Sequence, residues 1–198
     1  GTLEVGDQAV AASDLSSTSG DYNLIANPYQ AIVDAKDLIE NDATDLNNII
    51  YVYDPTLGTQ GGYATIDLSD PSPSGTPFDN NLSGTDANQF ILPNQAFFVE
   101  TIGTNPSLTF KETYKDIAAD FVDTFSDDDL SEMHINLKRQ PADVLVDGVT
   151  ARFDPNHTNA VNNADADEIW NFDEWVALFN SDNYLSIEKR ATPVENDT

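Results

Sequence analysis

The side chains best matched to a chemical task by type and spacing lie in residues 154–165. Asp154, Asn156, Thr158, Asn162 and Asp165 fall at positions 1, 3, 5, 9 and 12 of that stretch. This is the ligand spacing of an EF-hand loop, in which calcium, a hard cation, gathers roughly six to eight oxygens. Three features depart from that pattern. Asn159 stands where glycine makes the sharp turn, although Asn tolerates left-handed backbone. Asp165 is shorter than the bidentate Glu, and no helix clearly precedes the loop. The same residues also suit Asx turns held by their own hydrogen bonds. Both readings stand, and Ca2+ is the one cofactor expected.

Other chemistries find less support. Cysteine is absent, which removes disulfides, thiolate metal sites and cysteine nucleophiles. His134 and His157 have no G-x-S-x-G elbow to serve. The run Gly58-Thr59-Gln60-Gly61-Gly62 lacks the lysine of a phosphate-binding loop and reads as a hairpin turn. Paired carboxylates for glycoside hydrolysis are defined by separation in space, so 35 acids make chance pairs certain and uninformative. No catalytic residue is therefore expected, and the chain is not read as an enzyme. Three N-x-S/T sequons, at Asn81, Asn156 and Asn196, read as chance matches.

Sugar binding needs exposed aromatic rings with Asn and Asp nearby, and Tyr63, Phe78, Trp170 and Trp175 are its candidates. The competing reading packs Trp170, Phe172, Trp175 and Phe179 into a core, and it is the expected one.

Charge narrows the partners. With 35 acidic against 8 basic residues the net charge is −27. Nucleic acid and anionic membrane surfaces need clustered Lys and Arg, so neither is expected. No run approaches the roughly 18–20 apolar residues of a membrane helix. The chain opens at Gly1 without a signal-like segment and reads as an internal or mature piece.

The elements that must position these residues are mostly strands. Alternating or β-branched runs place strands at 22–25, 49–53, 63–68, 90–92, 96–101 and 107–110. Further strands are expected at 133–138, 144–146, 149–153 and 185–188, with Asp147-Gly148 as a hairpin turn between the middle pair. Ile32, Ala35, Leu38 and Ile39 share one helical face and predict a helix over 31–40. A second helix is expected over 173–179 with Asp173 as its cap. Ile117, Phe121 and Phe125 suggest a packed turn. The fold class is all-β, with β-sandwich-like modules and one or two short helices. Residues 1–115 form the first module, 116–130 an acidic connector, and 131–198 a second β-rich unit.

Several runs, taken in order, carry a resemblance. Tyr22-Asn23-Leu24-Ile25-Ala26-Asn27-Pro28-Tyr29 is followed by Ile50-Tyr51-Val52-Tyr53-Asp54-Pro55. Gly61-Gly62-Tyr63 and Leu92-Pro93-Asn94-Gln95-Ala96-Phe97-Phe98-Val99 come next, and Arg152-Phe153-Asp154, Asn156, Thr158-Asn159 and Leu185-Ser186-Ile187 close the series. The series resembles secreted Bacteroidetes proteins exported by type IX secretion. Ala96, Tyr53 and Gln30 depart from the usual Gly, Trp and Pro. The resemblance covers about residues 20–198, and the sorting domain of such proteins is not part of it. It implies a secreted or cell-surface location, a large parent protein and a last domain that continues past Thr198. The function it implies is a non-catalytic structural or adhesive module. The alternative is a carbohydrate-binding module attached to a secreted polysaccharide-degrading enzyme. Expected partners are other surface-protein domains or extracellular glycans, with strand-addition contacts to another chain through exposed strand edges.

Overall fold

A computed structural model of the chain describes residues 5–69, 80–82, 85–116, 131–172 and 174–192. Strands hold 45% of the described residues and helix 9%, so the fold is all-β and β-sandwich-like. Phe78, Asp173 and the turn expected around Ile117, Phe121 and Phe125 lie outside the described residues.

Among the described residues the strands are, in order, β1 (Gln8–Ala9), β2 (Tyr22–Ala26), β3 (Ile32–Asp34), β4 (Ala43–Thr44) and β5 (Leu46–Asp54), then β6 (Gly62–Asp67), β7 (Phe90–Ile91), β8 (Ala96–Thr101), β9 (Ser107–Phe110) and β10 (Lys115–Asp116). One helix, α1 (Ala35–Asp42), joins β3 to β4. The last five are β11 (Ser131–Arg139), β12 (Val144–Phe153), β13 (Ala166–Asp167), β14 (Leu178–Asn180) and β15 (Asn183–Arg190).

The chain forms two compact units. The first comprises Gly1–Val52, Ile66–Phe78 and Ala87–Phe125; the second comprises Tyr53–Thr65, Asp79–Asp86 and Ser126–Thr198.

The first unit has the apolar interior. Strands order as β2-β8-β5, with β1-β9-β4 and β10-β3-β7 as smaller sheets. In β8 every second residue is buried, and Phe97, Val99 and Thr101 turn inward. That period of two is the signature of a strand with one covered face. Tyr29, Val33, Leu38, Ile50, Leu108 and Phe110 fill the same core. The helix expected over 31–40 starts later, at Ala35. Ile32 and Val33 are β-branched and pair with β10 and β7 instead. Asp34 then caps the helix, its side chain accepting the Lys36 N–H at 2.9 Å.

The second unit is a five-stranded sheet ordered β11-β12-β15-β13, with β14 also paired to β15. β15 runs parallel to β12 and antiparallel to β13 and β14. β12 is buried without a break from Val146 to Arg152. The Asp147-Gly148 hairpin expected from sequence is therefore overturned, because both residues sit inside one continuous strand. Gly148 has a different cause. A Cβ there would lie 2.8 Å from Asn136 Oδ1 and 3.2 Å from the backbone oxygens of Asn81 and Ile135. Close approach of other chain segments, not a turn, excludes a side chain. The real β11–β12 turn is at residues 140–143, where Asp143 takes φ +55°.

Candidate ligand-binding site

The helix expected over 173–179 does not form: residues 174–177 carry neither helix nor strand, and 178–180 form β14. β14 and β15 form a tight hairpin in its place, with Asn180 opposite Asn183. Ser181 and Asp182 both take positive φ, +49° and +70°, as a two-residue hairpin turn of the right twist demands. Phe179 faces Tyr184 across that hairpin with ring centroids 5.3 Å apart. The spacing that suggested a helix is that of rings displayed on a loop and a hairpin.

Anchors at several points hold the segment. The Glu168 N–H donates to the Tyr184 carbonyl at 2.9 Å. Asn171 Oδ1 accepts the Tyr63 N–H at 2.8 Å, and Gly62 lets the amide approach because a Cβ would meet it at 2.9 Å. Asp147 Oδ2 accepts the Val176 N–H at 2.6 Å. Glu174 pairs with the Arg139 guanidinium.

The aromatic side chains between these anchors point outward. Trp170 is 56% exposed, Phe172 70%, Trp175 38%, Phe179 63% and Tyr184 44%. The expected aromatic core is thus overturned. Trp170 and Trp175 lie 4.3 Å apart at 50°, and Tyr184 meets both edge-on at 5.7 and 5.8 Å. The rings support one another in tilted contacts worth about 0.5–1.5 kcal/mol each. Tyr63 is half-buried against Tyr53 at 5.6 Å. Tyr184 was not singled out from sequence, because no pattern brings a residue of the last strand to the tryptophans.

Each of the five expected ligand side chains in residues 154–165 makes a hydrogen bond within the loop or to β15. Asp154 Oδ1 accepts the Asn156 N–H at 2.7 Å, and Asn162 Oδ1 accepts the Ala164 N–H at 2.9 Å, both two residues on. Thr158 donates to the Ala160 carbonyl. Asp165 Oδ2 accepts the Asn162 N–H and Oδ1 accepts the Lys189 N–H at 2.7 Å. The Asp154 N–H in turn donates to the Arg190 carbonyl. Both ends of the loop are therefore tied to neighbouring residues of β15. These bonds are those of an Asx-turn loop.

His134 and His157 occupy ordinary structural places. His134 sits on β11, 3.1 Å from Glu132 and 2.8 Å from Thr150 Oγ1. His157 lies in the loop, its backbone N–H donating to the Asp154 carbonyl while its buried ring Nδ1 makes no hydrogen bond. Asn81 is 1% exposed, and its amide donates to the Gly148 carbonyl. Such an amide is closed to glycosylation.

The interior of this unit is unusually polar. Asp147, Thr150, Arg152, Asp165, Glu168, Ser186, Glu188 and Lys189 are all buried. Burial pushes the Asp147 carboxyl up to about 6 and Glu168 up to about 9, with the Asp147 charge adding to the latter. Burial likewise raises Asp165 and Asp167.

Comparison with protein-family models, curated proteins and solved structures finds no match. Among the described residues no helix is long and apolar enough to cross a membrane.

Proposed function

We propose that the chain is a non-catalytic recognition module that takes carbohydrate on the aromatic face of its second unit. One observation carries this reading: both tryptophans, with Phe179 and Tyr184, stand in solvent instead of filling a core. Keeping large rings exposed forgoes about 1.5–3 kcal/mol of burial for each, and clustered exposed apolar surface marks an interaction site. Sugar C–H faces stack on such rings, and Glu174, Asn180 and Asp182 provide polar groups in the same stretch for hydroxyls. The net charge of −27 argues against nucleic acid and anionic lipid as the occupant. The resemblance to exported Bacteroidetes surface proteins fits an extracellular glycan, and secretion and surface location belong to the same proposal.

Adhesion to another protein is the second reading. The rings are tilted by 50° to 85° at the tryptophans, not laid in a flat row. Met133 and Ile135 are also exposed on β11, which lies at the end of its sheet.

A glycan array probed with the whole chain separates them. Binding to a defined glycan class, lost in both Trp170→Ala and Trp175→Ala, supports the sugar reading. An array without any signal sinks it and leaves adhesion.

A further inference from the structure

The folded chain leaves two buried carboxylates without the partners such groups require. Asp147, fully buried on β12, accepts the Val176 N–H at Oδ2 and has the Gly148 N–H beside it, while its Oδ1 makes no well-formed hydrogen bond. Glu168 is 8% exposed, immediately after β13, and its Oε2 has no donor either. The Asp147 charge acts on Glu168, and among the described residues no basic side chain offsets either one. Basic groups of the same unit act elsewhere: Arg152 on Glu132, Arg139 on Glu174, Lys138 on Asp143, Arg190 on Glu188 and Lys189 on Asp165. An orphaned buried oxygen costs about 1–3 kcal/mol, and more for a charged group. Two carboxyls in a low-dielectric interior are relieved either by a proton held on one of them or by a third charge between them.

We propose that Asp147 and Glu168 bind a hard divalent cation of the calcium class inside the second unit. Both donors are carboxylate oxygens, which favours a hard cation over zinc or copper. Calcium accepts irregular coordination, whereas magnesium demands a near-octahedral shell and keeps its waters. A strongly anionic surface raises the local concentration of such cations.

The position of the two acids gives the site a consequence. Glu168 begins the aromatic segment two residues before Trp170, and Asp147 holds Val176 directly after Trp175. A bound cation draws both ends of that segment toward one point and fixes the ring display. Only this coupling to ligand capture rests on the carbohydrate reading above.

The two tryptophans of the chain are Trp170 and Trp175, so intrinsic fluorescence reports on this segment alone. The chelator-treated whole chain is titrated with calcium chloride, following tryptophan emission and melting temperature. The expected result is a saturable change in both with Kd on the order of 10⁻⁴–10⁻³ M. Glu168→Gln weakens it by at least about tenfold, and Asp154→Asn in the 154–165 loop leaves it intact. Terbium luminescence sensitised by the tryptophans of the unaltered chain, and displaced by calcium, gives the same answer should the Gln variant not fold. No response to calcium together with no sensitised terbium emission overturns the proposal and makes the pair one that shares a proton. A response that survives Glu168→Gln and disappears in Asp154→Asn also overturns it, placing the ion in the loop. A calcium response without glycan binding sinks the carbohydrate reading alone; glycan binding without a calcium response sinks the cation site alone.

Discussion

Buried asparagines organise much of this fold one residue at a time. Asn27, 1% exposed, donates to the carbonyls of Ala31, Ile91 and Leu92 and accepts the Tyr29 N–H. Asn23 bonds the Val99 carbonyl, Thr101 Oγ1 and the Ser16 N–H in the same unit. The run from Tyr22 to Tyr29 that carries the family resemblance is thus occupied with holding strands together. A charged counterpart exists in the second unit. Arg152 lies 2.7 Å from Glu132, both largely buried. Burial alone would raise the Glu132 carboxyl, but the His134 ring and the Arg152 guanidinium outweigh it and hold it below its usual value. A carboxyl depressed by folding stabilises the native state above its unfolded value near 4.5, and that contribution is lost as pH falls through the folded value. Glu132→Gln is expected to cost about 3 kcal/mol at neutral pH, because it leaves a buried guanidinium without its carboxylate. Urea unfolding between pH 3 and 7 should show the gap between variant and parent closing toward the acid end. A gap of constant size at every pH would mean that packing, not the ion pair, is responsible.

At the level of elements, legibility follows from how many faces are covered. β8 and β9 run over 96–101 and 107–110 as read from sequence, because alternation is visible when one face is buried. β12 is covered on both faces, so alternation vanishes and its internal Asp-Gly imitates a turn. Gly148→Ala tests the account given for that glycine. The added methyl meets two backbone oxygens at 3.2 Å, neither of which can rotate away as a side chain does. A loss of about 1–3 kcal/mol is expected in chemical denaturation; unchanged or increased stability would show that the neighbouring segments give way. The aromatic stretch departs from its helical spacing for a related reason. Trp175 and Phe179 at a spacing of four satisfy a helical period, yet the two positive-φ residues at 181 and 182 turn the chain into a hairpin. Ser and Asp there give only weak local notice of a turn that usually recruits Asn-Gly.

Considered as whole bodies, the two units are built on different principles. The apolar core cluster lies wholly in the first, whereas the interior of the second is threaded with hydrogen-bonded polar and charged groups. Over both lies a net charge of −27, which repels itself in the compact state. Salt should therefore stabilise the chain. With chelator present, sodium chloride that shortens the screening length from about 30 Å to about 3 Å is expected to raise the melting temperature. A fall would mean that attractive pairs such as Arg139–Glu174 outweigh the net repulsion. Composition and hydrophobic period by themselves determined the strand-rich class, most strand positions in the first unit and the absence of thiol chemistry, because these depend on local sequence. Tertiary structure alone decided which aromatics face solvent, that Tyr184 joins the tryptophans, and that Asp147 and Glu168 are buried together. Those facts depend on β15 lying between β12 and β13, a pairing between distant segments that no local window of residues records.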